Sequence, residues 1–390
     1  MSKVTLIATA PMGLEAIVAR EVKNLGYTDV RTDNGRVEFD ADESAIARCN
    51  LWLRTADRLL VKMGEFKATT FDELFEGTKA LNWPDWIPKD AEFPVDGKSQ
   101  KSQLSSVPAC QGIVKKAVVE KLKEAYNIEW FEETGALYRI QVSLLKDIAT
   151  ITIDTSGVGL HKRGYRKLTA QAPLKETLAA ALVDLSRWGP HRPFIDPFCG
   201  SGTIPIEAAM IGRNIAPGMH RDFSAQNWPT IPQSVWDRAR QEAKDLAKYD
   251  VPLEIIGSDI DAEVLSLANY HIRQAKLGEG IRLKNLPVSK MNFDQQYGVI
   301  VSNPPYGERI GERKDVERAY KDLGHLTNQN DTLSVFVLTS NLMFEQFYGK
   351  KADKKRKLYN GRIECNLYQY LGKLPPRPPR EDAGKQETLS

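Results

Sequence analysis

The chain has 390 residues, 42% of them hydrophobic, enough for roughly two to three domains of about 100–200 residues each. Its net charge of +3, from 54 basic and 51 acidic side chains, excludes a polycation, so any nucleic-acid surface must be a local patch. Four cysteines with no Cys-x-x-Cys pair and five scattered histidines leave no legible metal site. The N-terminus lacks a signal-like apolar segment, and no apolar run approaches the roughly 20 residues of a membrane span. A cytoplasmic protein with reduced thiols and no obligate protein partner is the expectation.

The first 155 or so residues alternate short strands and helices. Val4 to Thr9 reads as a strand. Leu14, Ile17, Val18, Val22 and Leu25 then follow a helical period that Glu21 interrupts. Val37–Phe39, Arg58–Met63, Arg139–Val142 and Ala149–Ile153 read as strands, with a turn at Lys146-Asp147. The pattern predicts α+β units with helices covering one face of a small sheet. No acidic residue occurs between Gly97 and Val119, where Lys98, Lys101, Lys115 and Lys116 fall; Lys121 and Lys123 continue on the next helix. Such a run is either a solvated helix face or a phosphate-contacting one. A second basic cluster, His161-Lys162-Arg163-Gly164-Tyr165-Arg166-Lys167, encloses an aromatic and sits in what reads as an interdomain connection.

The pattern changes at about Pro173. Leu174, Leu178, Leu182 and Leu185 mark a helix face, Phe194-Ile195-Asp196 is a short strand ending in an acid, and Ile204–Ile211 is helical. Trp236, Ala239, Ala243 and Leu246 mark a helix that Ser234 and Asp237 would cap. Leu253–Ile256 is a strand, and Asp261 can cap the helix that follows to about Ala275. Val299–Val301 and Val335–Leu338 are strands of the fully buried kind. This alternation predicts a doubly wound α/β sheet. Leu374–Ser390 begins Pro-rich, turns polar, and reads as a disordered tail.

Three segments carry chemistry. In Asp196-Pro197-Phe198-Cys199-Gly200-Ser201-Gly202-Thr203 a strand feeds a Gly-containing turn that opens a helix, letting backbone N–H groups approach a ligand. It is neither a Walker loop nor a Gly-x-Gly-x-x-Gly fingerprint, and read alone it is also a plain tight turn. In Gly257-Ser258-Asp259-Ile260-Asp261, Asp259 ends the next strand, where an acid can accept hydrogen bonds from ribose hydroxyls. Ser302-Asn303-Pro304-Pro305-Tyr306-Gly307 follows an apolar strand. Its prolines hold the chain extended, so the Asn303 side-chain and Pro304 backbone carbonyls can face one point. Two such acceptors suit an –NH₂ group and leave its lone pair free to attack. Tyr306 offers a face on which a base can stack.

These segments resemble a known family. Asp196 to Gly202 resembles the cofactor loop of class I methyltransferases, and Asn303-Pro304-Pro305-Tyr306 the catalytic tetrapeptide of amino-group methylators of DNA, RNA and protein. The Cys-Gly-Ser-Gly form, the upstream Lys162-Arg163-Gly164-Tyr165-Arg166 and the downstream Gly307-Glu308-Arg309 resemble the guanine-N2 RNA methyltransferases that carry an N-terminal THUMP domain. Ala10-Pro11-Met12-Gly13-Leu14-Glu15 is similar to the start of that family's bacterial 23S rRNA branch.

The resemblance, which spans about residues 3–373, implies an α/β fold. A Rossmann-like class I methyltransferase domain with a seven-stranded sheet (157–373) would follow an α+β ferredoxin-like part (1–45) and a THUMP RNA-binding domain (46–156), with 374–390 as tail. It implies S-adenosyl-L-methionine as cofactor, lined by Asp196, Pro197, Cys199, Gly200, Ser201 and Gly202, with Asp259 on the ribose and Ile260 on the adenine. Asn303 and Pro304 would hold a guanine N2 amine, with Tyr306 stacked on the base and Pro305 beside it. The guanine would be flipped out or single-stranded. Lys98, Lys101, Lys162, Arg163, Tyr165 and Arg166 are the expected RNA contacts.

Departures from the pattern are visible. Pro287 stands where relatives often have an adenine-binding Asp, which leaves the Val288 backbone N–H for that contact. Phe223–Trp228 replaces a more aromatic, acidic version of a substrate-side wall. The chain ends before the fused N7-guanine methyltransferase that some relatives carry, so one methylation is expected. The RNA is expected to be 23S rRNA, around the peptidyl-transferase centre, or else tRNA. The other readings are an inert RNA-binding assembly factor, which intact Asn303, Asp259 and Gly200 disfavour, and a DNA adenine-N6 methylase.

Overall fold

The computed structural model describes residues 3–168, 174–307 and 313–376. The expected Glu308-Arg309 motif and most of the expected tail, residues 377–390, lie outside the described residues.

The N-terminal half is built on one seven-stranded sheet. Its elements are β1 (Lys3–Thr9), α1 (Glu15–Asn24), β2 (Arg31–Asp33), β3 (Arg36–Asp42), α2 (Ser44–Trp52), β4 (Arg58–Lys67), α3 (Phe71–Lys79), β5 (Val95–Gln100), α4 (Val107–Tyr126), β6 (Ile140–Leu145) and β7 (Ile148–Asp154). The strand order is β2-β3-β1-β4-β7-β6-β5, antiparallel except for the β5–β6 pair. Strand β4 joins the two ends of this sheet, pairing with β1 through Arg58–Val61 and with β7 along most of its length. The expected division between residues 45 and 46 therefore falls inside α2, in a stretch whose flanking strands share one sheet.

The C-terminal half holds α5 (Glu176–Leu185), β8 (Phe194–Asp196), α6 (Thr203–Gly212), α7 (Gln233–Leu246), β9 (Ile255–Asp259), α8 (Ala262–Gln274), β10 (Ile281–Asn285), β11 (Val299–Ser302), α9 (Arg313–Thr327), β12 (Ser334–Thr339), α10 (Phe344–Tyr348), β13 (Lys354–Asn360) and β14 (Ile363–Tyr370). Its seven strands run β10-β9-β8-β11-β12-β14-β13. The first five are parallel, and β14 and β13 are antiparallel additions at the edge. Every residue of β8, β11 and β12 is buried, as expected where helices cover both faces of a parallel sheet. The strand order reverses at β8, with β9 on one side and β11 on the other, so the ends of β8 and β11 flank the switch-point crevice where such sheets bind ligands.

Some local expectations are corrected. Helix α7 starts after Pro232 with no side-chain cap, so Ser234 and Asp237 lie inside its first turns rather than capping it. The strand expected from Leu253 begins two residues later and runs on to Asp259. Asp261 does cap α8, accepting from the Glu263 and Val264 N–H groups.

The halves interlock through two exchanges. Leu14 and Ile17 of the α1 region pack in the core of the C-terminal sheet, while Val18 and Val22 of the same helix pack on their own sheet. Glu21, which breaks the apolar stripe, accepts from the backbone N–H groups of Arg54 and Thr55 and so ties α1 to the entry of β4. In the other direction, Phe223, Ala225, Trp228, Ile231, Trp236, Ala239 and Ala243 pack in the N-terminal core. Trp228 stacks on Tyr138 with ring centroids 4.4 Å apart, and its indole N–H donates to the Leu137 carbonyl. The Phe223–Trp228 segment, which departs from the family's substrate-side wall, thus packs at the junction between halves.

Candidate active site

The loop after β8 needs glycine at two positions. Gly200 and Gly202 have φ of +53° and +81°, which L-residues rarely adopt. A Cβ on Gly202 would also sit 3.1 Å from that of Ala268 on α8, whereas a Cβ on Gly200 would meet open space. Gly202 therefore packs the helix against the sheet, while Gly200 leaves a cradle open to a ligand. The loop is pinned from below. Cys199 N–H donates to the Ser258 carbonyl, Gly200 N–H donates to Asp259 Oδ2 at 3.0 Å, and the Ser201 carbonyl faces His271 Nδ1 at 3.1 Å. Burial beside Asp196 and Asp259 raises the Cys199 thiol well above its usual range, which keeps it protonated.

Asp259 stands at the end of β9, its Oδ1 accepting from the Asp261 N–H. Ile260 beside it is 74% exposed, an apolar side chain left free at the strand end. The Asn285 amide donates to the Asp259 and Ile260 carbonyls, at 3.0 Å each, and so fixes this corner from β10. The Val288 side chain is buried with Met291 and Phe293, which leaves its backbone alone for any ligand. An open glycine cradle, a carboxylate at the next strand end and a free apolar side chain fit the sulfonium amino acid, ribose and adenine of S-adenosylmethionine.

The third segment joins the first. The Ser302 hydroxyl donates to Asp196 Oδ1 at 2.5 Å, and the same oxygen accepts from the Phe198 N–H at 3.2 Å. Asp196 is 1% exposed, and burial raises its carboxyl to about 7 despite those two hydrogen bonds. Asp196 thereby fastens the cofactor loop to the residue before Asn303, using Oδ1 for both bonds. Asn303 is half-buried, and its Oδ1 accepts from the Tyr306 hydroxyl at 2.6 Å. Pro304 is buried and Pro305 is exposed. The Pro305 carbonyl accepts from the Tyr320 hydroxyl at 2.8 Å, which holds the extended dipeptide from α9. Tyr306 is half-buried against the core of this half, and its hydroxyl is turned inward to Asn303.

The expected RNA contacts divide by burial. Lys98 and Lys101 are exposed on β5 and the turn after it, with no ion pair among the described residues. Lys115 pairs with Glu133 and lies over the Phe93 ring, while Lys116 and Lys123 pair with Glu120 and Glu129. Lys162 is exposed, but its neighbours are not available. The Arg163 guanidinium forms a buried pair with Glu207, 3.2 Å apart, and donates to the Leu160 and Arg54 carbonyls. Tyr165 is 2% exposed and donates to Glu207. Arg166 pairs with buried Glu176 and donates to Thr203 at the start of α6. The expectation that Arg163, Tyr165 and Arg166 touch RNA is corrected, because each is spent inside the protein. A basic surface not anticipated from sequence runs from Lys350 and Lys351, just before β13, to Lys354, Lys355 and Lys357 on the strand, all exposed.

Comparison with known proteins agrees with this geometry. The family described as RMKL-like, methyltransferase domain, matches residues 163–369. The RlmL ferredoxin-like domain matches residues 5–60, and the THUMP domain residues 68–154. The chain is 57% identical to "Putative RNA methyltransferase YpsC" of Bacillus subtilis, over 97% of this chain and 98% of that protein. A crystal structure described as a predicted N6-adenine-specific DNA methylase from Listeria monocytogenes superposes with a TM-score of 0.92 at 56% identity, covering 96% of this chain and 97% of that one. SMU.472, described as a putative methyltransferase complexed with SAH, superposes at 0.91 with 45% identity, covering 96% of this chain and 100% of that one. With its three domain matches, its glycine cradle and its Asn-Pro-Pro-Tyr loop, the chain belongs to the RMKL-like family of S-adenosylmethionine-dependent RNA methyltransferases that carry RlmL ferredoxin-like and THUMP domains.

Proposed function

We propose that the protein methylates the exocyclic N2 amine of a guanine, in 23S rRNA or, as the alternative, in tRNA. The observation that carries the reading is the fastening of Asn303-Pro304-Pro305-Tyr306 to the cofactor loop through Ser302 and Asp196. The Asn303 Oδ1 and the Pro304 carbonyl accept the two N–H bonds of the amine, which points its lone pair at the cofactor side. S-adenosylmethionine supplies the activated methyl group. Because Asp196 is buried and bonded to Ser302, it does not serve as general base, and the extra proton of the methylated amine leaves to water. The choice of guanine rests on the resemblance of the whole chain to guanine-N2 enzymes, and the exposed Lys98 and Lys101 in the THUMP domain and Lys162 after it supply phosphate contacts.

The tetrapeptide itself serves adenine N6 equally well, and the Listeria relative carries that description. One experiment separates the readings. RNA and DNA from a deletion strain are incubated with the protein and methyl-labelled cofactor, digested to nucleosides and resolved by mass spectrometry. Label in N2-methylguanosine from rRNA is expected; label in N6-methyladenosine, or labelling that survives RNase treatment, overturns the assignment.

A further inference from the structure

We propose that Asn360, at the tip of the β13–β14 hairpin, is a positioning residue for methyl transfer that acts through the Tyr306 hydroxyl to orient the Asn303 carboxamide. The inference rests on the reading that Asn303 accepts from the target amine.

Three groups converge on the Tyr306 hydroxyl. The Asn360 side-chain amide donates to it at 3.3 Å, the Cys365 thiol lies 3.6 Å from it and 3.7 Å from the Ile363 carbonyl, and the hydroxyl donates to Asn303 Oδ1 at 2.6 Å. An amide nitrogen can only donate, and a phenol has one proton and two lone pairs. With the Asn360 amide donating to its oxygen, the phenol directs its single proton to Asn303 Oδ1. That bond uses one lone pair of Oδ1 and leaves the other for the incoming amine. It also fixes which way the carboxamide faces. Turned over, Asn303 would present an N–H group to the incoming amine, and that contact could not form. Burial raises the Tyr306 phenol far above its usual range, so the proton stays in place throughout neutral pH. Asn360 and Tyr306 are distant in sequence, and the hairpin brings them together by crossing back from the sheet edge.

Asn360 also sits at a tight turn before Gly361, whose φ is +65°, and a turn role alone is the competing explanation. A double-mutant cycle separates the two. The turnover of Asn360→Ala, Tyr306→Phe and the double variant is measured at saturating cofactor and nucleic acid, on whichever acceptor takes up labelled methyl. Asn360→Ala is expected to lower kcat about five- to tenfold, the effect of losing one hydrogen bond. In the Tyr306→Phe background it is expected to change kcat less than about twofold, since no hydroxyl remains to steer. S-adenosylhomocysteine affinity stays unchanged. Asn360→Asp keeps a turn-compatible side chain, but its carboxylate competes for the phenol proton, so kcat falls here too. Equal losses in both backgrounds, or a fully active Asn360→Asp, overturn the proposal. If the label appears on an amine other than guanine N2, the guanine assignment fails while the cycle still tests Asn360.

Discussion

Asn303 and Asp259 stand on opposite sides of one crevice, and their partners divide the labour between them. Asn303 Oδ1 is held by Tyr306, whereas Asp259 is held by Gly200 and Asp261 in the cofactor loop and its neighbour. Asn303→Ala should therefore lower turnover by about 10²–10³-fold, as removal of a preorganised group at the reacting centre does, with little change in S-adenosylhomocysteine affinity by calorimetry. Asp259→Ala should weaken that affinity first. Equal loss of cofactor binding in both variants would contradict the division. Asp196 gives a separate prediction. Burial raises its carboxyl from 3.8 to about 7, so the folded chain keeps this proton to higher pH than the unfolded chain. Its contribution to stability is full below the unfolded value and is lost as pH rises through about 7. Asp196→Asn still accepts from Ser302 and Phe198 but cannot ionise. Thermal melts across this window should show the native protein losing ground to the variant as pH rises, and a constant offset would show that the carboxyl titrates normally. The three site segments were legible from sequence because each is a local strand-end signature. The Asp196–Ser302 and Asn360–Tyr306 bonds were not, since no short window contains both partners.

At the level of elements, apolar runs made β1, β11 and β12 readable, while charge concealed β13. Lys354-Lys355-Arg356-Lys357 has neither the β-branched content nor the alternation of a buried strand, yet it pairs with β14 along its full length. An edge strand has one side without a partner, and lysines there discourage pairing with another chain. Part of this charge is already matched: Lys355 pairs with Glu345, Lys357 with Glu364, and Arg356 donates to the Gly13 carbonyl. Lys350, Lys351 and Lys354 have no ion pair among the described residues. Lys354 opens β13 at the end opposite Asn360, and Lys350 and Lys351 precede the strand, so the three form a basic surface set back from Tyr306 along the hairpin, where it can hold RNA flanking the target. Replacing these three with Glu should reduce RNA affinity and flatten its salt dependence, by about 0.7–0.9 in log–log slope for each phosphate no longer neutralised. Replacing Lys98 and Lys101 with Glu tests the N-terminal surface in the same way. An unchanged slope in binding titrations would make either patch a solvated face only. Burial, which no charge count reveals, is what removed Arg163 and Arg166 from this set.

For the whole molecule, the two sheets are held together by side chains that a domain-by-domain reading assigns elsewhere. Arg163 and Glu207 are 2% and 0% exposed in their side chains, and Arg163 reaches across to the Arg54 carbonyl of the N-terminal half. Removing one partner of such a pair leaves a buried charge without compensation, which typically costs about 3–5 kcal/mol. Arg163→Ala should destabilise the chain by that amount in chemical denaturation, and Lys162→Ala, at an exposed position, should change it little. Loss of RNA affinity in Arg163→Ala without loss of stability would restore Arg163 as an RNA contact. The same interlocking bears on cooperativity. Leu14 and Ile17 fill the C-terminal core, and Trp228 and Trp236 fill the N-terminal one, so neither half can unfold without exposing buried apolar surface on the other. Arg48 on α2 also holds Glu242 on α7 with two hydrogen bonds of 2.9 Å. Calorimetry of the full chain should then give one transition rather than two. Residues 157–390 expressed alone should bind hydrophobic dyes, because Trp228 and Trp236 would lose the sheet they pack on. Two separate transitions, or a dye-silent and cooperatively melting C-terminal fragment, would show that the halves are docked rather than co-folded, and that the crevice holding Asp196 and Asn303 forms without the N-terminal sheet.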